Sequence, residues 1–272
     1  MRGLLLLLVF SFSHSLFAQD GREYAELVKQ GIEALMKDSL KQAEGCFQQA
    51  MKENPLHRSN YVIFRYLGGI QERQGHNQEA LDSYTAGLSQ QPKNKELMLD
   101  RAALYYRMGN EGRALNDYSN VLDLEPENME ALLMRAHIYS SMRDYKRARA
   151  DYDAMIRIDP LNEKAYIGLV LLNDRDGRPR EAMEQINGLI MVYPQHAALY
   201  AIRGGIEQRR RQYEQALADM NQAIELDPNN VDFYVSRATL YLDMNKKKLA
   251  RLDTQRAVKL GADPIEMASL LK

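Results

Sequence analysis

The chain has 272 residues, of which 45% are hydrophobic and 27% charged, and its formal net charge is −1. That composition excludes a disordered polyelectrolyte and makes no electrostatic case for nucleic acid as a partner. Its single cysteine, Cys46, excludes an intramolecular disulfide.

Residues 1–18 differ from the rest. Arg2 is a short positive start, residues 4–10 are an apolar run, and Ala18 offers a small residue for cleavage. This is the pattern of a secretory signal peptide. A membrane-spanning helix needs about 20 apolar residues, whereas this run is shorter and is followed by His14. The expectation is an exported protein of the periplasm or cell envelope, cut near Ala18. With one cysteine and no Asn-x-Ser/Thr sequon, the setting reads as bacterial.

From Tyr24 onward the chain repeats itself every 34 residues. The units run 24–57, 61–94, 95–128, 129–162, 163–196, 197–230 and 231–262, with about three extra residues, 58–60, after the first. Position 32 is Pro55, Pro92, Pro126, Pro160, Pro194 and Pro228, giving way to Ala262. Position 20 is always alanine, from Ala43 to Ala250, and position 24 is mostly large, as in Phe47, Tyr84, Tyr118 and Tyr152. Position 8 is small (Gly31, Gly68, Ala102, Ala136, Gly204, Ala238) except for Val170. Small residues let two helices approach, a bulky one fills the space beside them, and proline ends the second helix. Each unit is therefore a helical hairpin, too thin to bury both faces, and must stack on its neighbours. Beyond the last unit, residues 263–272 read as a capping helix over 265–271, with Asp263 as N-cap and Pro264 in its first turn.

The pattern resembles the tetratricopeptide repeat (TPR) family over about 24–262. Two positions depart from it. The family's tryptophan at position 4 is Leu27, Phe64, Met98, Leu132, Tyr166, Tyr200 and Tyr234, and its tyrosine at position 11 survives only as Tyr105, Tyr139 and Tyr241. The resemblance implies an all-α solenoid of seven hairpins in a right-handed superhelix. Helix A of each hairpin would line a concave groove and helix B the outer side.

Two positions vary together. Position 7 is Arg101, Arg135, Arg203 and Arg237 in four units, and position 23 in the same units is Asp117, Asp151, Asp219 and Asp253. The other three units have neither charge, holding Gln30 with Cys46, Leu67 with Ser83, and Leu169 with Gln185. A half-buried charge without its partner is costly, so the pattern predicts structural ion pairs inside hairpins rather than an arginine ladder for an anionic ligand.

The groove is expected at positions 2, 5, 9 and 12 of helix A. It would hold Arg65, Glu72, Leu99, Tyr106, Leu133, His137, Ile167, Leu171, Gln208, Val235 and Leu242, a mixed lining with an apolar centre. The turns between helices A and B are basic, from Lys37 and Lys41 through Arg107, Arg143, Lys146, Arg147, Arg175, Arg178 and Arg209 to Lys246–Lys248. Such an edge would steer an anionic partner or surface. There is no metal-ligand motif, phosphate loop or catalytic set, so neither cofactor nor enzymatic activity is expected. The functional expectation is a scaffold for a protein or peptide partner. A periplasmic small-molecule or lipid carrier is the alternative, and self-association is left open.

Overall fold

A computed structural model describes residues 22–271; the segment 1–18, with its expected signal peptide, lies outside the described residues. Among the described residues there are fifteen α-helices and no strand. Twelve of them pair into hairpins: α1 (Arg22–Met36) with α2 (Leu40–Glu53), α3 (Asn60–Arg73) with α4 (Asn77–Gln90), and α5 (Lys95–Arg107) with α6 (Glu111–Leu124). The fourth repeat, hairpin four of the sequence register, supplies α7 (Met129–Ser141) and α8 (Tyr145–Ile158); then α9 (Glu163–Arg175) pairs with α10 (Pro179–Val192), α11 (Ala197–Arg209) with α12 (Tyr213–Leu226), and α13 (Val231–Asp243) with α14 (Lys247–Lys259). The last helix, α15 (Pro264–Leu270), is short, with Pro264 in its first turn and the Asp263 side chain accepting from the Ile265 N–H.

Local chemistry sets these boundaries. Where position 34 is an asparagine it caps the next helix A: Asn94 accepts from the Leu97 N–H, Asn162 from Ala165 and Asn230 from Asp232. Position 16 caps helix B in the same way through Asn110 and Asp144. Each cap satisfies a backbone donor left open at a helix start, which is worth about 1 kcal/mol. The turn between the helices needs one left-handed residue, always at position 15. Glycine supplies it in three hairpins, and Asp38, Arg143, Arg211 and Asn245 hold φ of 57–61° in the others.

The chain divides into two compact units, residues up to Ile138 and from Tyr139 onward. In the first, Tyr24, Val28 and Phe47 of hairpin one share a core with Ile63, Leu67 and Ile70 of hairpin two. A Cβ on Gly31 would stand 2.6 Å from Phe47 Cε1, so position 8 is small because the ring at position 24 lies against it. In the second unit, Val170, Ile186 and Ile190 of hairpin five pack with Leu199 and Ile206 of hairpin six. Hairpin five has Ile186 where hairpins one to four carry a ring, which makes room for Val170. In hairpin six, Ala216 and Met220 meet Leu240 of hairpin seven. Cores thus run across hairpin boundaries. Each fully buried aliphatic side chain contributes about 1.5–3 kcal/mol of transfer free energy that an isolated hairpin would forgo.

The residues 58–60 have a structural role. Asn60 opens α3 and is 1% exposed. Its amide donates to the Asn54 and Pro55 carbonyls, and its oxygen accepts from the Tyr24 hydroxyl at 2.9 Å. In hairpins five to seven the position 4 tyrosine does a related job. Tyr166, Tyr200 and Tyr234 each donate to the carbonyl of the preceding unit's proline, at 3.0–3.1 Å. A turn carbonyl left open by the helix stop is thereby satisfied by the residue that stands where the family has tryptophan.

Candidate partner-binding face

In hairpins three, six and seven the charges at positions 7 and 23 pair inside the hairpin. Arg101 Nε and Nη2 donate to the two Asp117 carboxylate oxygens at 2.8 and 2.9 Å. Arg203 does the same to Asp219 at 2.7 Å, and Arg237 to Asp253 at 2.8 Å. The three aspartates are 1–7% exposed. Paired parallel bonds of this kind are the strong form of the arginine–carboxylate contact. They raise the pKa of each guanidinium above the usual arginine range, against the opposing effect of burial. In hairpin four, Arg135 belongs to the first unit and Asp151, 5% exposed, to the second.

Each arginine also reaches backwards. Nη1 of Arg101 donates to Thr85 at 3.1 Å, Arg135 to Ser119 at 3.3 Å, Arg203 to Asn187 at 2.7 Å, and Arg237 to Asn221 at 2.7 Å. All four acceptors stand at position 25 of the preceding hairpin. The arginine therefore clips one hairpin to the last. Charge covariation could not reveal this limb, because its acceptors are neutral; the run of Thr, Ser and Asn at that position was the available signal.

Position 11, beside this pair, also varies. In hairpin two Ser83 is hydrogen-bonded to Gln71 at 2.7 Å, and in hairpin five Asn173 donates to Gln185 at 2.8 Å. Hairpin three places Tyr105 under the Arg101 guanidinium, and hairpin seven places Tyr241 under Arg237. Hairpin six has Glu207 there, 7% exposed, with Oε2 buried and without a hydrogen-bond partner. Burial, and then the charge of Asp219, push its pKa up from 4.5 to about 7.

The helix A face takes a different form in each unit. In the first unit it is polar and self-paired. Arg65 Nε donates to Asp100 at 2.5 Å, while Glu72 accepts from the Tyr84 hydroxyl at 2.6 Å and pairs with Arg107 of the next hairpin. Leu99, Tyr106 and Leu133 are half-buried there, and His137 is exposed. In the second unit the face is apolar at its centre. Ile167 and Leu171 on α9, Ala201 and Gly205 on α11, and Val235 and Leu242 on α13 are all half-buried. A Cβ on Gly205 would meet only Arg209 Nη1, at 3.8 Å. Polar groups bond along the rim: Arg209 forms an ion pair with Asp174 at 2.5 Å, and the neutral Gln208 amide donates to Asp243 at 2.6 Å.

This rim uses cations expected on the basic edge. Position 13 of one hairpin reaches position 12 of the one before, as Arg107 to Glu72, Arg175 to Ser140 and Arg209 to Asp174. Within the turns, Arg147 pairs with Asp144, and Arg178 with Asp176 and Glu181. Arg107, Arg147, Arg178 and Arg209 are thereby neutralised locally, and the lysines 246–248 are exposed at the edge's far end. No cluster of three or more His, Cys, Asp or Glu able to hold a metal occurs among the described residues, and none of their helices is long and apolar enough to cross a membrane.

Family models described as TPR repeat and tetratricopeptide repeat match residues 209–245 and residues 99–163 and 133–197. A crystal structure of a tetratricopeptide repeat protein from Parabacteroides merdae is 32% identical, covers 92% of this chain and 98% of that one, and superposes with a TM-score of 0.84. The chain belongs to the TPR family. The structure of MamA shares the TPR fold at 17% identity, covering 72% of this chain and 97% of that one, with a TM-score of 0.56. Yeast Tom70 shares it at 14% identity, covering 94% and 64%, with a TM-score of 0.58. No curated protein sequence matches the chain. TPR repeats generally mediate protein–protein interaction, and TPR proteins are typically non-catalytic scaffolds.

Proposed function

We propose that this TPR protein is an exported, non-catalytic scaffold of the bacterial envelope that receives a protein or peptide segment on the helix A face of its second unit. The observation that carries the reading is the apolar strip Ile167–Leu171, Ala201–Gly205 and Val235–Leu242, half-buried beside rim groups that already bond to one another, Arg209 to Asp174 and Gln208 to Asp243. Such a surface offers apolar contact and little net charge, so it suits an uncharged, apolar stretch of chain. Ala201 and Gly205, one helical turn apart, leave a dip where a partner side chain can seat.

Export rests on the amino-terminal sequence pattern, and a partner in the envelope follows from it. The test is affinity capture from an envelope extract with the wild-type protein and with Gly205→Arg. The substitution enters open space, so the fold is expected to survive. Wild type should recover a defined protein partner at low and high salt, and the variant should lose it. A captured set unchanged by the substitution would refute the site. Recovery of bound lipid in place of protein would favour the carrier reading.

A further inference from the structure

The carboxyl-terminal hairpin ends in an open cleft. Helices α14 and α15 border about 480 Å³ between Arg251, Thr254 and Val258 on one side and Pro264, Met267 and Leu271 on the other. The repeat register says what this space is. Arg251, Thr254 and Val258 occupy positions 21, 24 and 28 of helix B. In hairpin five the same positions are Met183, Ile186 and Ile190, packed with Leu199 and Ile206 of the next helix A. In hairpin six, Leu217 and Met220 pack with Leu240 of the next helix A. Those covering side chains stand at positions 3 and 10.

Helix α15 imitates only the first part of that cover. Met267 falls at position 3 and is 8% exposed, packed with Ala257 and Val258. Position 10, filled by Ile206 and Leu240 at 0% exposure in the inner hairpins, has no counterpart, because α15 stops at Leu270. The cleft is thus a helical position in the stack that only seven residues of helix occupy. The same two helices carry exposed apolar side chains outside the cleft, Leu252 at 60% and Ile265 at 79%.

The surrounding charge is one-sided. Lys247, Lys248, Arg251 and Lys259 are exposed on α14, and among the described residues none of them forms an ion pair. Asp253, the acidic residue of that helix, is taken by Arg237. Arg256 lies over the Tyr234 ring, and Glu266 stands exposed on α15. Elsewhere in the protein, exposed arginines of helix ends find carboxylates in a neighbouring hairpin, as Arg107 and Arg209 do.

We propose that this cleft docks an acidic amphipathic α-helix of a partner protein. Its apolar ridge would lie over half-buried Val258, beside Thr254 and Met267, which are already buried, and its Asp or Glu flanks would face Lys247, Lys248, Arg251 and Lys259. The helical form follows from the vacant place in the stack, and the sign of its flanks from charge complementarity. This surface is separate from the helix A face, and neither reading depends on the other.

The test is direct binding, by fluorescence anisotropy, of a labelled helical peptide of about 18 residues, long enough to hold a helix. Leucines recur at i, i+3, i+4 and i+7, with glutamates on the flanks; a control peptide carries lysine at every glutamate position. The expected result is saturable binding of the glutamate peptide alone, weakened at least about tenfold by Arg251→Glu with Lys259→Glu. Raising salt to about 1 M, where the Debye length falls to about 3 Å, should weaken it too. Ala268→Trp, which fills the cleft without touching its charges, should abolish binding while Gly205→Arg leaves it intact. Equal binding of the two peptides, or no saturable binding of the glutamate peptide, would overturn the proposal. So would binding to phosphatidylglycerol vesicles when the peptide does not bind.

Discussion

Glu207→Gln should remove a pH dependence that hairpin six alone carries. The Glu207 carboxyl is buried beside Asp219, whose charge is already matched by Arg203; Arg210, just beyond the helix end, is the other cation near it. The neighbouring hairpins present neutral amides, Asn173 and Asn187, on one side, and on the other Arg237, committed to Asp253, with Tyr241. A second negative charge would therefore enter a site with one guanidinium for two carboxylates. With the folded pKa raised from 4.5 to about 7, the folded state holds a proton that the unfolded chain has released. Stability from this group is fully present below pH 4.5, falls as pH rises, and levels off above about 7. At about 1.4 kcal/mol per unit the ceiling is about 3 kcal/mol, and solvent relaxation reduces it to about 2. Hydrogen exchange of α11 and α12 amides reads this locally, which matters because repeat arrays need not unfold in one step. Once intrinsic exchange is corrected for, wild-type protection there should drop about tenfold between pH 5 and pH 7.5 relative to Glu207→Gln. Parallel profiles for the two proteins across that range would refute the account.

Three further outcomes are expected. Asp117→Ala alone should cost about 3 kcal/mol by stranding Arg101, while Arg101→Leu with Asp117→Leu should cost clearly less; urea unfolding of the three proteins decides. Arg143→Gly and Arg211→Gly, which relieve φ near 60° in exposed turns, should each stabilise by about 0.5–1 kcal/mol, seen as raised melting temperatures, whereas Gly109→Ala should destabilise. Gly68→Ala should cost about 1–3 kcal/mol, because its Cβ would overlap the Tyr84 ring, and adding Tyr84→Leu should recover part of that loss in a double-mutant cycle.

How much of this was legible in the sequence depended on whether a signal repeats. Proline at position 32, alanine at 20 and a small residue at 8 each recur with one physical cause, so the helical pairs could be placed before any coordinates. The Arg–Asp pairs were legible because losing one partner strands a buried charge, which forces both to appear or disappear together. The clip to position 25 was not, since a neutral Thr, Ser or Asn can stand alone and leaves no such trace. The left-handed turn at position 15 was hidden for another reason: Asp38, Arg143, Arg211 and Asn245 share a backbone angle and no side-chain chemistry.

The helix A face shows the same limit from the functional side. Register alone put Glu72, Gln208 and Leu242 on one list, as if all faced a partner. In the fold, Glu72 is spent on Tyr84 and Arg107, and Gln208 on Asp243, while Leu242 stays half-buried and apolar. The bonds between hairpins remove polar groups from the face one rung at a time, and what they cannot remove is the apolar remainder around Gly205. A repeat protein of this kind therefore draws its binding surface from the side chains its own stacking leaves uncommitted. By the same logic, the incompletely covered end at α14 and α15 is where hairpin-to-hairpin chemistry becomes available to another chain.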